Sequence, residues 1–196
     1  RYDFSINSLH VYLPIKTSKR EISLHSIYSK LLVYAPISHT FSMKYNFTLS
    51  VDRSYGFSAE ADDASGVRID FTTGFVHYLS SVSNTNFYYD LGSSMSVTKG
   101  ENTRYKKYLL NVGMGFSSFS ETNSTAQIGY AYTNYSNRAP ERKDNQISFT
   151  YTLNKDLESG SSIGLVLGAT QNQSNIDLNR YNDTKIGLQY IANFGY

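Results

Sequence analysis

The chain has 196 residues, which suits one domain over 1–196, and its net charge of +2 is too small to mark a nucleic-acid partner. It has no cysteine, which removes disulfides and thiolate metal sites, and it contains no run of about 18 apolar residues that could cross a membrane as a helix. Charged residues make up only 17%, against roughly 25% in ordinary soluble domains, while aromatics reach 15% with 18 Tyr, 11 Phe and no Trp.

The chain begins at Arg1 rather than Met, which reads as a processed or trimmed product. Residues 2–13 form the first strand-like segment. Phe4 and Ile6 alternate with Asp3, Ser5 and Asn7, and the phase slips near Ser8–Leu9, which predicts a bulge. A polar connection, 14–20, leads to a second extended segment at 21–34 and a turn at 35–39. The third segment is the clearest. Phe41, Met43, Tyr45, Phe47, Leu49 and Val51 alternate with small polar residues and Lys44, the period of a two-faced strand.

The same alternation returns at 67–75, 86–97, 107–117, 126–133, 146–153 and 163–170. Connections are predicted at 52–66, 80–84, 98–103, 120–123, 135–144, 154–161 and 171–183. The closing segment, TKIGLQYIANFGY (184–196), sets Ile186, Leu188, Tyr190, Ala192, Phe194 and Tyr196 on one face. No segment carries a helical period with caps. The mean hydropathy of −0.40 averages two opposite faces and does not describe either.

Those faces differ in kind. One is built from Phe, Tyr, Leu, Ile and Val, the other from Gly, Ser, Thr, Asn and Gln with scattered charges. Small polar residues suit a concave, crowded, wet interior, and bulky apolar ones suit a convex outside. An alternating run of about ten residues, tilted near 40°, covers roughly 25 Å, the height of a barrel's lipid band. The fold expected is therefore all-β, an antiparallel up-and-down transmembrane β-barrel of about ten strands, within a range of roughly eight to twelve. A soluble lipocalin-like barrel or sandwich, with the apolar face as core, is the other architecture the pattern allows. In the membrane reading, lipid tolerates no open strand edge, so the first strand pairs with the last or with another chain.

The aromatic closing strand resembles that of Gram-negative outer-membrane β-barrels. The stretch SNIDLNRYNDTKIGLQYIANF (174–194) is similar to the final hairpin of barrels that end exopolysaccharide-export and lipoprotein-display proteins, which carry a helical-repeat domain absent from this sequence. The resemblance implies an outer-membrane location and the barrel-assembly machinery as a partner, with Tyr190, Phe194 and Tyr196 as the assembly signal. It also implies outer-membrane lipid or lipopolysaccharide as surroundings and a periplasmic or secreted partner.

Asp3, Lys44, Arg68, Asp70, Asp90, Lys107 and Lys185 fall on the polar face and are the expected lumen charges. Opposite charges in a narrow interior are expected to cross-pair. Loop cations, among them Lys19, Arg20, Arg138, Arg142 and Lys143, are candidates to face lipopolysaccharide phosphates. Tyr12, Tyr34, Tyr78, Tyr105, Tyr135 and Tyr196 fit interfacial girdles. His10, His25, His39 and His77 stand in no triad or metal-ligand spacing, so no catalytic residue, metal or cofactor is expected. Two functions follow from this reading. One is a channel or translocation conduit for small solutes or a secreted polymer. The other is a filled-lumen anchoring or adhesion barrel whose outer loops bind a surface ligand.

Overall fold

The computed structural model describes residues 2–13, 22–55, 65–80, 85–100, 103–119, 122–157 and 161–191. Ten strands form one sheet: β1 (Tyr2–Leu13), β2 (Ile22–Ser38), β3 (Phe41–Tyr55), β4 (Gly66–Ser80), β5 (Thr85–Thr98), β6 (Tyr105–Phe119), β7 (Thr122–Tyr135), β8 (Arg142–Asp156), β9 (Ser162–Ser174) and β10 (Tyr181–Ile191). Each pairs antiparallel with the next in sequence order, an all-β up-and-down arrangement. Alternate connections therefore lie at the same end. The β2–β3 turn is confined to His39–Thr40, while the connections at the opposite end, such as 99–104, 136–141 and 175–180, are longer.

Burial runs opposite to that of a soluble domain. Among the described residues the only buried apolar side chain is Ala131, whereas Ser50, Ser94, Ser96, Thr98, Asp144, Asn172 and Ser174, all on one face, are buried. Phe47 and Leu110 are each 42% exposed. Leu165, half-buried, lies on the same face, paired with Leu153 and Leu188. The described residues include no second layer of structure, so a face is shielded only by its own neighbours. Side chains converge on the concave side of a curved sheet. The shielded polar face is therefore the inner one and the apolar face the outer one. The register also climbs steadily. Followed through every pairing, Tyr2 at the start of β1 is level with Asn182, one residue into β10 and at the opposite end of the sheet.

Several boundaries differ from the sequence expectation. β2 continues through 35–38, and its register shifts between Pro36 and Ser38, since proline has no N–H for the ladder. Similar shifts at Tyr78/Ser80 and Ser117/Phe119 lie at the same, short-turn end. The β1–β2 pairing runs unshifted from Tyr2↔Val33 to Leu13↔Ile22, so the bulge expected near Ser8–Leu9 is absent: the alternation slips, but the backbone does not. The loops expected at 135–144 and 171–183 shrink because Arg142–Asp144 and Gln171–Ser174 extend the ladders. Hydrophilic residues on the inner face of a strand and in a loop look alike in sequence.

Close approach fixes at least one glycine. A Cβ on Gly66, opposite Thr98, would lie 2.1 Å from the Val97 carbonyl oxygen, a backbone atom that cannot rotate away. A Cβ on Gly187 would meet nothing within 4 Å. Gly66→Ala is expected to destabilise the folded sheet by about 1–3 kcal/mol, and Gly187→Ala to leave it unchanged, as read from urea unfolding midpoints.

Candidate functional site

The inner wall carries two clusters of charged groups. Lys44 on β3 and Asp90 on β5 face each other across β4, with Nζ 2.9 Å from Oδ1 and 3.0 Å from Oδ2. The pair lies directly over Gly74, where a Cβ would come within 2.0 Å of Asp90 Oδ1. Lys44 Nζ also sits 5.6 Å from the Tyr88 ring centroid. Tyr88 in turn covers Gly113, and its hydroxyl donates to Gln127 Oε1 at 3.4 Å. Gln189 Nε2 on β10 donates to Asn154 Oδ1 on β8 at 2.6 Å, across Gly164. Glycine on the middle strand lets side chains from strands two apart meet above it.

Arg68 holds a second cluster. Its guanidinium lies 3.3 Å from Asp70 Oδ2 and 3.8 Å from Asp52 Oδ2, and donates to Ser50 Oγ at 3.3 Å. Lys107 occupies the inner row opposite Ser94 and Thr133. Lys185 stands 3.8 Å from Asp183 on the exposed β10. Asp3 pairs in register with Leu32, a row position level with the inner face, and its side chain lies outside the described set.

The longer connections are closed by arginines at matching places. In β5–β6, Arg104 Nε donates to the Thr98 carbonyl at 2.6 Å, while Thr103 N bonds Gly100 O at 3.3 Å. In β9–β10, Arg180 Nε donates to the Ser174 carbonyl at 2.7 Å, while Asn179 N bonds Ile176 O at 3.0 Å. Each arginine thus reaches back to the last residue of the preceding strand. In β7–β8, Arg142 lies on the inner row, with Nε donating to Asp144 Oδ1 at 3.0 Å and its guanidinium 4.6 Å from the Tyr135 ring centroid. Tyr105 packs against Tyr135 at 5.8 Å.

Several expected roles shift. Arg142 faces inward and is committed to Asp144 and Tyr135, so it is not an outward loop cation. Lys143 does face outward, its Nζ 3.2 Å from Glu141. Arg138 sits in the β7–β8 connection, its backbone N bonded to Tyr135 O. Lys19, Arg20, Phe194 and Tyr196 lie outside the described residues. Tyr190 donates to Ser161 Oγ at 3.1 Å. Tyr34, Tyr78, Tyr105 and Tyr135 pair with inner-row residues and so do not form an outward girdle; Tyr12 and Tyr196 fall outside the described side chains. The sequence reading missed Asp52, although counting by twos from Ser50 places it on the polar face. It also missed the carbonyl-pinning roles of Arg104 and Arg180, which depend on loop geometry.

Among the described residues no group of three His, Asp or Glu could hold a metal ion. No family model, no curated protein and no solved structure matches the chain.

Two measurements test this wall. A Lys44→Gln, Asp90→Asn double-mutant cycle should show a coupling of about 1 kcal/mol in unfolding free energy; additivity would mean the pair contributes nothing. Arg180→Lys keeps a cation near Asp177 but loses the planar fork that reaches Ser174 O. Amide exchange in 175–180 should then accelerate, while the strands on either side keep their protection.

Proposed function

We propose that this chain is a membrane-spanning β-barrel domain of a Gram-negative outer membrane, acting as a conduit for small polar solutes or an extended polar polymer. The observation that carries the reading is the inverted burial: Ser50 is fully buried on the inner face while Phe47 and Leu110 are 42% exposed on the outer one. A water-soluble sheet would not leave its apolar face bare over so many strands. Hydrocarbon removes that penalty and requires every backbone group to be paired, which favours closure of β1 on β10. The climbing register from Tyr2 to Asn182 supplies the stagger that closure of a tilted barrel needs.

Openness is supported by the direction of the inner contacts. Lys44–Asp90, Arg68–Asp52, Tyr88–Gln127 and Gln189–Asn154 each join strands no more than two apart, so they run along the wall. The second reading, an anchoring barrel with a filled lumen, draws on the Tyr105–Tyr135–Arg142 cluster at the long-connection end, which narrows the interior there. Reconstitution in planar lipid bilayers separates the two. Stepwise conductance is expected for the conduit. Electrical silence across voltages, from protein that is folded by circular dichroism and inserted, overturns it in favour of the anchor.

A further inference from the structure

The outer face of β6, β7 and β8 changes character in ordered rows. From the short-turn end, Met114, Ala126 and Tyr151 share a row, followed by Val112, Ile128 and Phe149, and then Leu110, Tyr130 and Ile147. The next row is Tyr108, Tyr132 and Asn145, with Tyr130 donating to Asn145 Oδ1 at 2.7 Å. One step further stands Lys106, Asn134 and Lys143. Same-face rows are about 6.7 Å apart along a strand, so the sequence runs from apolar to aromatic to cationic over a short distance. That is the order of a bilayer leaflet: hydrocarbon, interface, phosphate.

The last row has the chemistry of an anion seat. Lys106 and Lys143 are exposed and flank Asn134, two strands apart and so roughly 10 Å between backbones. A single phosphate between them is within reach of both ammonium groups. Asn134 Oδ1 is shielded and has no hydrogen-bond partner. Its Nδ2 is not shielded, so with the oxygen turned in, the amide presents N–H donors to a ligand held by the lysines. Glu141, 3.2 Å from Lys143 Nζ, is the acidic group at hand, and both are nearly half exposed, so that pair is weak and exchangeable.

We infer that Lys106, Asn134 and Lys143 bind the phosphate of a lipid headgroup on the outer face of the sheet. The inference rests on the membrane reading above and adds a specific lipid site to it. It also replaces the inward-facing Arg142 with Lys106 as the partner of Lys143. The two lysines supply the attraction, the amide fixes the position, and the tyrosine row beneath takes the start of the acyl chains.

The test uses the full chain inserted in phosphatidylcholine bilayers containing phosphatidic acid, with bound lipid counted by native mass spectrometry after extraction. The unmodified protein should retain phosphatidic acid over phosphatidylcholine. The Lys106→Gln, Lys143→Gln double variant should lose about thirtyfold in that preference, with its circular dichroism unchanged. Lys155→Gln, an exposed lysine at the short-turn end, should retain the lipid as before. Undiminished retention by the double variant overturns the site and leaves the membrane reading standing. Full displacement by inorganic phosphate overturns the lipid as the source of the anion. Failure of the unmodified chain to enter bilayers overturns both readings together.

Discussion

Side chains converge on the concave side of a curved sheet and diverge on the convex side. With one layer of strands and nothing described against either face, that difference in room decides where each residue type can stand. Ser50, Ser94, Gly74 and Gly113 fit the crowded side, where a side chain at either glycine would collide with side chains of the adjacent strands. Phe47, Leu110 and Ile128 fit the open side, where they stay exposed. The backbone ladder holds the strands together; no apolar core does so among the described residues. In the proposed setting, lipid takes the place that a core would fill.

The inner wall then has to satisfy its polar groups from within the sheet. It does so over glycines. Gly74 opens the space in which Lys44 meets Asp90, and Gly164 does the same for Asn154 and Gln189. Each middle-strand glycine gives up side-chain packing of its own so that its neighbours can bond across it. At the long-connection end the task passes to arginine. A guanidinium presents several donors in one plane, so Arg104 and Arg180 can cap a strand carbonyl while their backbones turn the chain. Arg142 is held on the inner row, while Lys106 and Lys143 stand exposed on the outer one.

Alternation with a period of two was legible wherever one face was apolar. The strands around Phe41–Val51, Leu110–Phe116 and Ile147–Leu153 therefore sit where the residues put them. The paired charges of the inner face were legible for the same reason, because Lys44, Arg68, Asp70 and Asp90 share parity with their small neighbours. The strand ends were not legible. Lys143, Asp144, Gln171 and Gln173 read as loop because hydrophilic composition is common to connections and to strand positions beyond the apolar band. The tyrosines at strand ends misled for a related reason. Residue type places an aromatic near a boundary, but parity decides the face, and Tyr105 and Tyr135 fall on the inner count.

Residue order was enough to set out the sheet: its antiparallel order, its near-uniform strand spacing, and the separation of bulky apolar from small polar residues. That information is local, since the side-chain period needs only consecutive residues. Strand pairing and packing settled which face is shielded, how far the register climbs from β1 to β10, and which cations turn inward. Those depend on contacts between residues far apart in the chain. The distance from Lys44 to Asp90, or the reach of Arg142 to Tyr135, exists only once the strands between them are paired.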